Sequence, residues 1–201
     1  MTEKSPALVL FTGPTSPFAR MAQVVGTELG IAFESRTIDV YSAEFLDEFN
    51  PLRQIPTLVI DGKTAIFDSR TIFAYFDAIS GKSSFSPGDD FAQMSRISLF
   101  LGLTEACLHY RMSIILPENE RSEANIEKLR VRMNRSLDFL EAHAQETTEG
   151  NFRLEQIVAA CTLEYIDYRY SHEWRLRCPR LDTWVKTFSQ RPSMMESRPS
   201  E

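Results

Sequence analysis

Ser16-Pro17 places a hydroxyl and a proline where a helical repeat begins. Serine is a preferred N-cap and proline a preferred first helical residue, so the pair starts a helix at the least. The same geometry can do chemistry. A helix N-terminus presents free N–H groups and a partial positive charge, which favour an anion such as a thiolate. A hydroxyl donating one charge-assisted hydrogen bond contributes about 1.5–3 kcal/mol, enough to lower a thiol pKa by about one to two units. In that role Ser16 donates to a substrate's sulfur and is not itself a nucleophile. Thr15 is a second candidate hydroxyl.

Ile55-Pro56 and Asp68-Ser69 offer two further features. A proline opening a strand is common. A cis bond there would instead turn the N–H and C=O of Ile55 outward, where an extended peptide can pair with them; the sequence leaves the isomer open. Asp68-Ser69 reads as a helix N-cap, or as a hydroxyl and helix amides receiving a carboxylate while Asp68 pairs with an ammonium. Elsewhere the chemistry is sparse. His109 is a lone histidine on a helix, and the Lys128–Arg135 cluster reads as a solvated face. Cys107, Cys161 and Cys178 show no metal-ligand spacing, so no metal is expected.

The elements that position these residues follow from periodicity. Residues 7–12 read as a buried strand, Gly13-Pro14 turns the chain, and Phe18, Met21, Val24, Val25 and Leu29 mark a helix ended by Gly30. Residues 33–38 form a second strand, and residues 43–49 a short amphipathic helix stopped by Asn50-Pro51. Residues 57–60 and 64–67 flank Asp61-Gly62, a hairpin signal, and Asp68-Ser69 opens a helix reaching Gly81. The order is β-α-β-α-β-β-α. Residues 80–90 are rich in Ser, Gly and Pro, and beyond them the pattern is helical. Met94, Ile97, Leu101, Leu108 and Met112 mark one face of a long helix, and Ile126, Leu129, Met133, Leu137 and Leu140 a second. Residues 154–170 are apolar nearly all round, as in a central helix. The expected division is an α/β domain over 1–80, a linker over 81–89 and an all-helical domain over 90–201.

In this order, on these elements, the motifs resemble the glutathione S-transferase family across essentially the whole chain. Thr15-Ser16-Pro17-Phe18-Ala19-Arg20 looks like that family's Ser- or Cys-Pro-Phe motif. Residues 50–58 (NPLRQIPTL) match its segment containing the cis-proline, and Asp68-Ser69-Arg70-Thr71-Ile72 its acidic-Ser motif. Residues 179–184 and 191–193 look like its final helices. The chain most resembles the small bacterial YibF-type members, and residues 50–58 also resemble the zeta class.

The resemblance implies a thioredoxin-like first domain and glutathione as cosubstrate, with a homodimer as the assembly. Ser16 and Phe18 would then lie at the sulfur, Arg53, Gln54, Ile55 and Pro56 along the cysteinyl-glycine part, and Asp68 and Ser69 at the γ-glutamyl end. Arg53 is either a cation near the glycyl carboxylate or a solvated surface charge. A small apolar electrophile would meet the first helix of the second domain, where Thr15, Glu105, His109, Arg111 and Met112 could face it. Serine in place of the catalytic cysteine of the omega and beta classes disfavours thiol transfer, and the zeta class Ser-Ser-Cys motif is absent. The family's usual capping box at the central helix should fall at residues 153–156, which read Arg-Leu-Glu-Gln. Gln156 is expected to reach back to the N-cap amide.

Composition narrows the alternatives. The net charge of −6 argues against nucleic acid as main partner. No apolar run is long enough to span a membrane, and residues 1–11 lack the flanks of a secretory signal, so a cytoplasmic protein is expected. A different class also fits the scaffold. The start of the chain resembles the stringent starvation protein A group, whose members act as interaction proteins. A zeta-type isomerase is the third option.

Overall fold

The structure, a computed structural model, describes residues 6–82 and 85–199. The first five residues, two positions of the 81–89 linker (83 and 84) and residues 200 and 201 lie outside the described residues. The chain divides into two compact units. One runs through Ser86 and takes in the residues from Pro192 onward; the other is Pro87–Arg191.

The first unit is a four-stranded mixed sheet, β1 (Leu8–Thr12), β2 (Glu34–Thr37), β3 (Thr57–Ile60) and β4 (Thr64–Ile66), in the order β2-β1-β3-β4. β1 runs parallel to β2 and antiparallel to β3, and β3 antiparallel to β4. This is the thioredoxin-like arrangement that the motif order implies. Strand alternation sends Leu10 and Leu58 to one face and Phe11 and Val59 to the other. The first face receives α1 (Pro17–Leu29) and α2 (Ser69–Ser80), which pack on each other and on β1 and β3. On the second, Phe11 and Val59 cluster with Ala43 and Leu46. Asp61 and Gly62 both take positive φ between β3 and β4, which the Asp-Gly pair tolerates.

Residues 43–49 differ from expectation. They form a 3-10 turn, Glu44–Glu48, rather than an α-helix, because only Leu46 within it is buried and Asn50-Pro51 halts it. A short helix, α9 (Pro192–Glu196), belongs to this unit and lies on α1. Arg20, buried in α1, donates from Nη2 to the Met194 carbonyl at 3.0 Å and from Nε to the Ser197 hydroxyl at 3.2 Å. The Ser193 hydroxyl donates to Glu28.

The second unit is helical: α3 (Phe91–Ile114), α4 (Glu123–Ala142), α5 (Ala144–Thr148), α6 (Leu154–Arg169), α7 (Glu173–Arg177) and α8 (Pro179–Phe188). α6 is buried nearly all round, as its composition requires. α3 packs against both α4 and α6, so its buried residues spread over two faces, and Met94 and Met112 are exposed instead of sharing one stripe with Leu101. The start of α6 is also built differently from the expected capping box. Arg153 makes no side-chain cap, and the Gln156 amide donates to the Thr147 carbonyl rather than reaching the N-cap amide. Glu155 does the work there, buried and accepting from Thr147, Arg96 and Arg153.

All three cysteines are free and buried. Burial raises the Cys107 thiol from an ordinary 9.0 to about 12, and burial with the nearby Glu141 and Asp138 charges raises Cys178 to about 12. Groups whose folded pKa lies above the unfolded value stabilise fully below the lower value and lose that contribution as pH rises through the higher one. Stability should therefore hold to about pH 9 and fall toward pH 12, by up to about 1.4 kcal/mol per pH unit for each thiol. Urea midpoints at successive alkaline pH values check this, and the Cys107→Ala variant should show the shallower fall.

Candidate functional site

Sheet register gathers the singled-out residues of the first unit. Phe11 pairs with Thr57 and Leu58 with Ile66, so the end of β1, the start of β3 and the end of β4 lie at one edge of the sheet. The segments leaving that edge carry Ser16, residues 53–56 and Asp68-Ser69. Gly13 ties two of them together: a Cβ there would sit 2.5 Å from Ile55 Cδ1, so any larger residue must displace the Ile55 side chain.

Ser16 caps α1, its Oγ accepting from the Ala19 N–H at 3.3 Å. Among the described residues that is its side chain's one hydrogen bond, so the hydroxyl proton is uncommitted. Pro17 occupies the first helical position. Phe18 and Thr15 are half-buried beside it.

Ile55-Pro56 is cis, which the sequence left open, and Phe67-Asp68 is cis as well. The N–H and C=O of Ile55 make no backbone hydrogen bond among the described residues. Gln54 is exposed. Its carbonyl is held by the Asn50 amide at 3.1 Å and the Thr57 hydroxyl at 2.7 Å, and Asn50 Nδ2 also donates to Thr57 Oγ1 at 2.9 Å. Asn50 is 1% exposed and accepts from the Leu52 N–H, so one buried amide closes the whole turn. Sequence reasoning read Asn50 as a helix stop and, with Thr57, as part of the cis-proline segment, and gave neither a hydrogen-bonding role. The signal was an Asn seven residues before a strand-opening Thr, with a proline next to each. Arg53, at positive φ, pairs two-pronged with Asp47. That contact depresses the Asp47 carboxyl and raises the Arg53 guanidinium.

Asp68 caps α2 by accepting from the Arg70 N–H at 2.9 Å. Ser69 is 4% exposed, yet its hydroxyl makes no hydrogen bond among the described residues. A hydroxyl with no protein partner at the start of a 12-residue helix has the chemistry to receive a carboxylate. In the second unit Glu105, His109 and Met112 are exposed along one side of α3, spaced as successive turns. Among the described residues no group of three His, Cys, Asp or Glu side chains is placed to hold a metal, and no helix is long and apolar enough to cross a membrane.

A family model for the glutathione S-transferase N-terminal domain matches residues 15–79, spanning all three motifs. A solved glutathione transferase family member from Pseudomonas fluorescens Pf-5, with bound glutathione, superposes with a TM-score of 0.88. It is 30% identical, covering 97% of this chain and all of that one. This chain belongs to the glutathione S-transferase family. The uncharacterized GST-like protein YibF of Escherichia coli K12 is 29% identical over 92% of this chain and 95% of that protein. A stringent starvation protein A homolog from Pasteurella multocida is 35% identical over 75 residues, 37% of this transferase-family chain and 35% of that protein.

Proposed function

We propose that this protein binds glutathione in its first unit and activates the thiol for attack on a small apolar electrophile. The observation that carries the reading is the pair of serines opening α1 and α2 from the same sheet edge, each with its hydroxyl proton uncommitted. Ser16 donates to the sulfur and favours its thiolate at the helix start. The free N–H and C=O of Ile55 take the peptide backbone as an added strand, beside Gln54 and Pro56. Ser69 and the α2 amides receive the γ-glutamyl carboxylate, and Asp68 the ammonium. Arg53 reaches the glycyl end only by leaving Asp47, an exposed pair that costs little to open.

Catalysis then rests on proximity and on thiolate stabilisation. The domain assignment is residues 1–80 for glutathione, 81–89 as the link and 90–201 as the helical part, whose α3 carries Glu105, His109 and Met112 for the electrophile, while the residues from Pro192 onward pack with the first unit. The reading carries a cytoplasmic homodimer with it. Glutathione bound in related structures supports the ligand.

Ser16→Ala should raise the bound thiol's pKa by about one to two units. An ultraviolet thiolate titration of the complex measures it, and an unchanged curve removes Ser16 from the chemistry. The similarity to the stringent starvation protein A homolog favours a second reading, a non-enzymatic interaction protein. Absence of heat on titrating millimolar glutathione into the protein would select it.

A further inference from the structure

The helical unit holds a cavity of about 420 Å³ that the glutathione reading does not use, bounded by α3, α4, the end of α6 and α7. That volume suits a small organic molecule. Met133 and Leu137 of α4 and Ile166 of α6, all buried, give it an apolar floor. Tyr110, Tyr170 and Trp174 add aromatic side chains to the lining. The Tyr110 and Tyr170 rings meet edge to face at 5.4 Å and 74°, as two adjoining sides of a box. Tyr110 lies roughly a third of a turn round α3 from the stripe of Glu105, His109 and Met112, so the cavity and the electrophile side are separate.

Three charged residues line the cavity, Arg130, Glu173 and Arg177, all of them exposed. Arg130 is held two-pronged by Glu127, and Arg177 in the same way by Asp138. The Glu173 carboxylate has no hydrogen bond or ion pair among the described residues, so the charge left unmatched here is negative. The Tyr110 hydroxyl and the side-chain amide of Asn134, which also line the cavity, are likewise uncommitted among the described residues. Packing accounts for the other two aromatic residues. The Tyr170 hydroxyl donates to the Cys107 carbonyl, and the Trp174 indole donates to Asp167 at 2.8 Å while Arg175 lies 4.9 Å over its ring. The helix dipole favours Glu173 at the first position of α7, a weak pull in a five-residue helix. It does not account for an unmatched carboxylate, a free phenol and a free amide lining one aromatic cavity.

We propose that this cavity binds a small organic ammonium ion whose apolar body rests on Met133, Leu137 and Ile166. Aromatic ring faces attract a cation, and the Glu173 carboxylate, the Asn134 carbonyl oxygen and the Tyr110 oxygen accept its N–H donors. An organic anion would have to open one of the two arginine pairs and face Glu173 as well. The site goes beyond the glutathione reading and does not depend on it, because its test contains no glutathione.

The full chain is titrated by calorimetry at neutral pH with 2-phenylethylammonium, with the uncharged 2-phenylethanol and with the anionic 3-phenylpropanoate. The ammonium should bind saturably, and the alcohol and carboxylate at least about tenfold more weakly, a difference of about 1.4 kcal/mol. Glu173→Gln should weaken the ammonium by about fivefold and Tyr110→Leu by about threefold, while Tyr110→Phe, which keeps the ring, should lose less. Glu120→Gln, at an exposed acid outside the lining, removes the same charge and should change nothing. The proposal falls if the ammonium shows no saturable uptake, if alcohol or carboxylate matches it, or if Glu173→Gln binds it as well as Glu120→Gln does. Thermal melts report whether Tyr110→Leu folds; if it does not, the comparison of the two glutamine variants, both at exposed positions, decides.

Discussion

Glu155→Ala should lower the free energy of unfolding by about 3–5 kcal/mol, one of the two largest effects expected of a single substitution here. Glu155 is fully buried at the start of α6. Its Oε1 accepts from Thr147 at 2.6 Å and from Arg96 Nε at 2.8 Å. Its Oε2 accepts from Arg96 Nη2 at 3.2 Å and Arg153 Nε at 3.3 Å. Removing the carboxylate leaves the half-buried Arg96 with only the exposed Glu146, and takes the Nε partner from Arg153, whose Nη groups stay on the Glu146, Glu149 and Asn151 carbonyls. Stranded charge, rather than lost attraction, sets the size of the loss. In a chain of this length it corresponds to a fall of about 6–20 °C in Tm. Glu155→Gln keeps an acceptor for Thr147 and should lose less. Urea unfolding of both variants measures the effect; a loss under about 1 kcal/mol would reduce the cluster to the worth of a surface pair.

The second large effect lies at the sheet edge. Gly13→Ala puts a methyl 2.5 Å from Ile55 Cδ1. Ile55 packs partly buried against the Phe11, Leu46 and Val59 cluster, so moving its tip disturbs those contacts. Overpacking of this sort costs about 1–3 kcal/mol. If residues 54–56 hold the peptide, glutathione affinity should drop by about tenfold as well, since the displaced element is the strand it pairs with. Ile55→Val deletes the offending atom and alone costs about 0.5–1.5 kcal/mol. The double variant should recover most of the Gly13→Ala loss, giving a coupling above about 1 kcal/mol. Additive losses in both stability and glutathione binding would mean that the two segments do not act on each other.

Much of the first unit was legible because its signals are local. Ser16, Gly30 and Asp68 cap their helices where the residue types say they should, and residues 57–60 form a strand with those bounds. What stayed hidden depends on partners remote in sequence. The two-sided burial of α3 needs both α4 and α6 to be in place, so a single-stripe pattern misassigned Met94 and Met112. α5 and α7, five residues each, are too short to show a helical period. Gln156 turned away from its expected amide because Thr147 offered a carbonyl, a contact spanning nine residues. At the candidate site the motif residues were visible as types, while the Asn50–Thr57 clamp and the Arg53–Asp47 pair emerge only when the turn closes.

Arg20 and Glu28 on α1 are bound by side chains and carbonyls from Pro192 onward. The thioredoxin-like unit is thus written in two pieces, with the whole helical unit inserted between them. On the ribosome, where folding proceeds from the N-terminus as residues emerge, the strands and α1 can assemble early. Their last buttress arrives only after the whole helical unit has been translated. A fragment ending at Ser86 would emerge with that side of α1 bare, and a tag fused after residue 201 would hang from the strut that steadies the Ser16 helix.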